Sequence, residues 1–500
     1  MRNRQEVPTI EVPTIMDDGK LMRAIVGTSA LVLLALVAGA QQQSNPSEVS
    51  LPPGQVIENV QCAGNPAQAY ALYVPSHYTG AKSWPIIYTF DPSAHGKVPV
   101  ELYRKTAEKY GYIIAASNNS RNFQTESLAK VAQALWDDTH LRLVIDARRV
   151  YMMGLSGGAR VATSLALACE NCAVAGVIVH GAGYPISAPP SDKDRFAYFA
   201  FIGDKDFNWP ELMELRRKKE QFAAPFHLKT YAGEHQWAPA DIFDEAIEWL
   251  QLKAMQSGTI PADAAFIGQL FARTQKEVED AVPRQDTIAQ YEAYRSLAFD
   301  FSGFKDVSEF QAKLKALKDS PEMKQALKNE RDAIDKQSVL TQDISSKMAQ
   351  AADADLEAQQ MLESSINQSL IALKREAEHV KKEDARLIYV RSFNDLWVQA
   401  MEAGQQELEI NKQPGKAEFY FRLISEITPD QPWPAVLLAE AHALKGDRKR
   451  ALKDLHEAVK RGMKHPESIT ENANLQSLRS DPEFQQIVAE LKAKSGAQAR

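Results

Sequence analysis

The segment of this chain best suited to covalent chemistry is Gly154-Leu155-Ser156-Gly157-Gly158. It is a G-x-S-x-G that follows the apolar run 149–153 and precedes a helix-like run, so the serine falls on a tight strand-to-helix turn. Such a turn holds the hydroxyl above a sheet edge, and flanking glycines remove the side chains that would clash there. A serine hydroxyl is a weak nucleophile near neutral pH and needs a base, which in turn needs an acid to orient it. His235, in Gly233-Glu234-His235-Gln236-Trp237, lies just past the apolar run 226–231 and ahead of a helix, where a loop can bring an imidazole to the serine. Asp204 and Asp206 follow the run 198–202, and either carboxylate can fix the imidazole tautomer and stabilise the imidazolium.

Acyl transfer also needs two amide donors aimed where negative charge develops. The N–H of Gly157, after the nucleophile, is the first candidate. The second is expected in the loop Asp91-Pro92-Ser93-Ala94-His95-Gly96. Pro92 has no N–H, so Ser93 is the candidate by position, with Asp91 behind it. The polar run Asn118-Asn119-Ser120-Arg121-Asn122 reads either as a pocket wall or as a surface loop. His77, His95, His140, His180 and His227 are read as structural or solvated.

The elements that must position these groups follow from the hydrophobic pattern. Short apolar runs at 70–74, 85–90, 112–117, 149–153, 174–180, 198–202 and 226–231 alternate with amphipathic stretches at 126–143, 159–168, 210–222 and 240–254. That alternation predicts an α/β domain over 65–257 with a doubly wound, mostly parallel sheet. From 322 to 413 there is no proline and only one glycine, Gly404, which predicts long helices within a region 258–404. Leu362, Ile366, Leu370, Leu373, Ala377 and Val380 recur at three-and-four spacing and form one packing face. Over 405–500 an offset of 34 residues aligns Lys416-Ala417 with Arg450-Ala451 and Phe421 with Leu455. A helix pair is expected at 434–444 and 448–459, with Gly446-Asp447 between them and small Ala439, Ala443, Ala451 and Ala458 allowing close packing.

These residues carry two resemblances. Residues 65–254 are similar to the α/β-hydrolase superfamily, in particular its dienelactone-hydrolase, polyhydroxybutyrate-depolymerase-like and prolyl-oligopeptidase-like branches. The resemblance implies a Ser156, Asp206, His235 triad, with Asp206 favoured over Asp204 because the family places its acid three residues after the glycine. It implies ester hydrolysis, or less often amide hydrolysis, through an acyl-enzyme, with no cofactor and no metal. The chain departs from the family where Asp91-Pro92 stands in place of His-Gly. Residues 405–490 resemble the TPR family, which implies a helical stack able to bind a protein partner.

Composition bounds the remaining classes. Five hundred residues, 44% of them hydrophobic and 25% charged, predict two or three globular domains. A net charge of -7, from 58 basic and 65 acidic residues, gives no reason to expect nucleic acid or anionic lipid as partner. The uncharged run 24–40 follows Arg23 and ends in Ala38-Gly39-Ala40, which reads as a secretory signal cleaved after about Ala40. Met22 is an alternative start. The expected location is therefore periplasmic or secreted, with no stable membrane span and a linker over 41–64. Cys62, Cys169 and Cys172 permit one bridge in an oxidising compartment, and the C-x-x-C pair lacks the second ligand pair that zinc needs. Together these readings predict an exported serine hydrolase acting on a small-molecule or polymeric ester.

Overall fold

The computed structural model describes residues 51–124, 127–168, 174–218 and 224–498. The signal-like run 24–40, its cleavage site and the Cys169/Cys172 pair lie outside them. The chain divides into two compact units, residues up to 204 with 208–318, and the short stretch Lys205–Phe207 with residues from 319 onward.

The first unit is built on eight strands, β1 (Val56–Cys62), β2 (Asn65–Tyr73), β3 (Trp84–Phe90), β4 (Ile113–Ser117), β5 (Ile145–Leu155), β6 (Val174–His180), β7 (Ala197–Gly203) and β8 (Phe226–Tyr231). They form one sheet in the order β1-β2-β4-β3-β5-β6-β7-β8. From β4 to β8 every pairing is parallel, and β1 and β2 join antiparallel at one edge. This is the mostly parallel sheet that the alternating runs predicted. β3, β4 and β7 are buried at every position, as expected for strands covered on both faces. β1 lies within the expected linker. Its sequence VIENVQC interrupts apolar residues with Glu58, Asn59 and Gln61 at a sheet edge instead of forming an apolar run.

Alternate strand residues face opposite helical layers. Tyr73, Ile87, Ile114, Tyr151, Met153, Ile178, Phe199 and Phe201 share a core with α1 (Lys97–Tyr110) and α5 (Ala240–Gln256) through Val100, Tyr103, Phe243, Ile247 and Leu250. On the other face Tyr88 Oη lies 2.7 Å from Thr139 Oγ1 of α2 (Leu128–Arg142), and Tyr198 Oη lies 3.3 Å from Thr163 Oγ1 of α3 (Gly157–Ala168). α4 (Trp209–Lys218) follows β7. α6 (Ala264–Ala281), α7 (Thr287–Phe299) and α8 (Ser308–Lys318) group with this unit. Lys253 of α5 pairs with Asp300, after α7, at 2.6 Å.

The second unit is helical. α9 (Pro321–Asp353), α10 (Leu356–His379) and α11 (Glu383–Gln405) are the long helices expected from the proline-free stretch. Ser320 and Asp355 cap the first two, their side-chain oxygens accepting from Met323 N (3.0 Å) and Ala358 N (2.9 Å). The predicted stripe is partly realised. Ile366, Leu370 and Leu373 are buried in a core shared with Leu396, Ala400, Phe421 and Ile424. A π-helical turn, Gln406–Ile410, follows α11. Then come α12 (Pro414–Ile427), α13 (Trp433–Leu444), α14 (Arg448–Lys460), α15 (Glu467–Thr470), a 3₁₀ turn at Ala473–Leu478 and α16 (Pro482–Gln498). α13 and α14 coincide with the predicted pair, and Ala439, Ala443, Ala451 and Ala458 all sit in their common core. No helix of the described residues is long and apolar enough to cross a membrane.

Candidate active site

Ser156 links β5 directly to α3 and has a φ of 54°, the left-handed region that non-glycine residues rarely occupy. Its backbone is held on both sides of that strained angle. Ser156 N donates to His180 O at the end of β6 (2.9 Å), and Ser156 O accepts from Ala159 N in the first turn of α3 (3.0 Å). The glycines around it are required by close approach. A β-carbon on Gly154 would lie 2.1 Å from Gly158 O, and one on Gly158 would lie 2.0 Å from Phe90 O. The serine is half-buried at the carboxyl end of its strand.

β7 and β8 run parallel to β5, so the residues that follow all three leave the sheet at its carboxyl edge. His235, half-buried, lies in the loop between β8 and α5. This loop is fastened on both sides of the histidine. Before it, Gly233 N donates to Asp204 Oδ1 (3.0 Å). After it, Trp237 Nε1 donates to Asp91 Oδ2 (3.1 Å), Ala238 N donates to His180 Nδ1 (3.1 Å), and Ala238 O accepts from Tyr103 Oη (2.8 Å). Asp204, the alternative acid, thus engages one carboxylate oxygen with the backbone of the histidine loop. Asp206 is 1% exposed, and the carbonyls flanking it accept from Asn394 Nδ2 (to Lys205 O, 3.1 Å) and Gln337 Nε2 (to Phe207 O, 3.1 Å) within the second unit.

The loop after β3 is organised by Asp91. Its Oδ1 accepts from Ser93 N (2.8 Å) and His95 N (3.2 Å), an Asx turn, and its Oδ2 holds the Trp237 indole. The Asp91-Pro92 departure noted in the sequence therefore has a structural use: one buried carboxylate joins the β3 loop to the histidine loop. The N–H of Ser93 points into that turn. Asn122 N donates to Pro92 O (2.8 Å) and Arg121 bridges to Ser93, which lays the loop after β4 against the loop after β3. Gly157, the other expected donor, is half-buried, and a β-carbon there would lie 1.9 Å from Asn122 Oδ1.

No protein-family model matches this chain, and no curated protein matches it. Among solved structures it is similar to S-formylglutathione hydrolase from Staphylococcus aureus, with 13% identity over 39% of this chain and 96% of that one and a TM-score of 0.32. It is similar to S-formylglutathione hydrolase from Agrobacterium tumefaciens, with 16% identity over 39% and 93% and a TM-score of 0.32. It is also similar to Est1E from Butyrivibrio proteoclasticus, with 14% identity over 40% and 99% and a TM-score of 0.30.

Several residues that shape the site were not singled out by the sequence. His180 is fully buried, stacked on Tyr103 and Phe201 and edge-on to Trp237, and burial pulls its pKa down to about 3. It is neutral. Because Nδ1 accepts from Ala238 N, the ring proton is on Nε2. His180 thus supports Ser156 through its carbonyl and the histidine loop through its ring. Its one sequence signal is its place at the end of an apolar strand run. Asp91 was legible as a loop position, but its contact with Trp237 was not, since the two are 146 positions apart.

Proposed function

We propose that this chain is a serine hydrolase that cleaves carboxylic esters through an acyl-enzyme. In this reading Ser156 Oγ attacks the ester carbonyl, His235 takes its proton and returns it to the leaving alcohol, and Asp206 orients the imidazole. Water then repeats the sequence on the acyl-enzyme. The Gly157 amide donates to the developing oxyanion. The observation that carries the reading is the left-handed Ser156, kept at a sheet edge between glycines that cannot accept a side chain. A strained backbone at a half-buried hydroxyl beside a sheet edge is where stored strain serves chemistry. A fluorophosphonate probe tests it: the wild-type chain is expected to label at Ser156 and to hydrolyse p-nitrophenyl acetate, and Ser156→Ala to do neither while remaining folded. Ester and peptide panels then separate esterase from peptidase action.

The same reading takes the protein as exported, from the run 24–40, and residues 405–500 as TPR-like, from the 34-residue offset. N-terminal sequencing of the mature protein tests the first, with Gln41 as the expected first residue.

A further inference from the structure

We propose that the side-chain amide of Asn122 is the second oxyanion donor, a role that rests on the reading of Ser156 as nucleophile. A tetrahedral intermediate needs a second donor beside the Gly157 amide, and the loop after β3 is where sequence reasoning placed it. That loop has little to offer. Pro92 has no N–H, Ser93 N and His95 N are engaged by Asp91 Oδ1 (2.8 and 3.2 Å), and Ala94 N donates to Asp91 O (3.2 Å). Asp91 N lies beside the base of the turn, 3.4 Å from where a Gly158 β-carbon would stand.

The loop after β4 brings a replacement. Asn122 is tied to the β3 loop through its own N–H on Pro92 O (2.8 Å), and its side chain lies over Gly157. A β-carbon on Gly157 would be 1.9 Å from Asn122 Oδ1, 2.8 Å from Cγ and 3.1 Å from Nδ2. The other two asparagines of this loop have structural partners. Asn118 Nδ2 donates to Glu58 O (2.9 Å), and Asn119 accepts from Ala69 N (2.7 Å) and donates to Ala67 O (3.1 Å). The Asn122 carboxamide, half-buried, has no hydrogen-bond partner among the described residues. It is a polar group left idle at the residue next to the nucleophile. A half-turn about its terminal torsion exchanges the positions of Oδ1 and Nδ2.

The step balances without a further reactant. As Ser156 Oγ bonds to the carbonyl carbon, its proton passes to His235 and the carbonyl π pair moves onto oxygen, where the Gly157 N–H and Asn122 Nδ2–H stabilise it. Collapse restores the carbonyl and expels the alkoxide, which takes the proton from His235.

The test uses the full-length chain with p-nitrophenyl acetate. Asn122→Ala is expected to lower kcat by about 10²- to 10³-fold with KM within about threefold, the range for removing one such donor. Asn122→Asp, of the same shape but with a carboxylate in place of the donor, is expected to lose at least as much and keeps the test open if the alanine variant folds poorly. If either folded variant turns over within about threefold of wild type while Ser156→Ala is inactive, the Asn122 role is overturned and the nucleophile stands. If Ser156→Ala stays active, both fall.

Discussion

Two buried histidines, one in each unit, show how differently the two parts of this molecule treat charge. His180 of the sheet unit sits among aromatic rings, receives one backbone N–H and has its pKa pulled down to about 3 by desolvation. His442 of the helical unit is nearly as buried, yet its pKa is pushed up to about 9. The cause is hydrogen bonding to Asp454 and then to Glu418: Nδ1 is 2.6 Å from Asp454 Oδ2, and Nε2 makes a looser ion-pair contact, 3.3 Å from Glu418 Oε1. Burial alone therefore does not decide the state of an imidazole; the partners do. The sheet unit surrounds its buried histidine with neutral contacts, and the helical unit fastens α12, α13 and α14 through a charged one.

The contrast can be broken in order of effect. Ser156→Ala is expected to lower kcat for p-nitrophenyl esters by about 10⁴-fold or more with the melting temperature almost unmoved, since it removes chemistry and little packing. A change confined to stability would reverse the assignment of roles.

Glycines in the two units are expected to respond unequally. Gly158→Ala drives a β-carbon to 2.0 Å from the Phe90 carbonyl, so backbone must move, and a loss of about 3 kcal/mol or failure to fold is expected on denaturant titration. Gly446→Ala, at φ 76° with open space around it, meets only the conformational cost of about 1 kcal/mol.

Opposite pH dependences should follow from the histidines. The His442 pKa is higher folded than unfolded, so its contribution is complete below about 6.5 and is lost as pH rises through about 9, on the order of 2 kcal/mol. Glu440, pushed up to about 7 by burial, acts in the same direction as pH climbs from its unfolded value near 4.5. His180 and His227 are depressed to about 3, so the sheet unit loses stability as pH falls from about 6.5 toward 3. Thermal unfolding across pH should show His442→Gln flattening the alkaline limb and His227→Phe the acid limb. Unchanged limbs would mean these groups titrate alike in folded and unfolded chains.

A small effect on both stability and turnover is expected at the Asp91–Trp237 contact. Trp237→Phe keeps the ring and removes one hydrogen bond to a buried carboxylate, which should cost about 1 to 2 kcal/mol and reduce kcat several-fold. An unaltered kcat in a folded variant would show that the link between the two loops does not position His235.

Much of this was readable in advance. Seven of the eight strands announced themselves as apolar runs, most plainly β3, β4 and β7, which are buried at every position because a strand covered on both faces needs no polar alternation. β1 escaped notice because, at the sheet edge, Glu58, Asn59 and Gln61 break up its apolar residues. Ser156 was legible because its requirement is local: a tight turn between strand and helix, flanked by glycine. Ser93 was proposed by position, and what position could not reveal is that its N–H turns onto the Asp91 carboxylate.

The sequence by itself determined the short-range properties of this protein: the strand and helix content, the strained turn at Ser156, and the caps at Ser320, Asp355 and Asp447. These depend on sterics and hydrogen bonds within a few residues. Only the tertiary structure decided which of three neighbouring asparagines has a side-chain amide with no hydrogen-bond partner among the described residues, that Asp91 reaches Trp237, and that one buried histidine is neutral while the other is charged. Polar satisfaction and desolvation depend on which distant residues the fold brings together, and chain spacing holds no record of that.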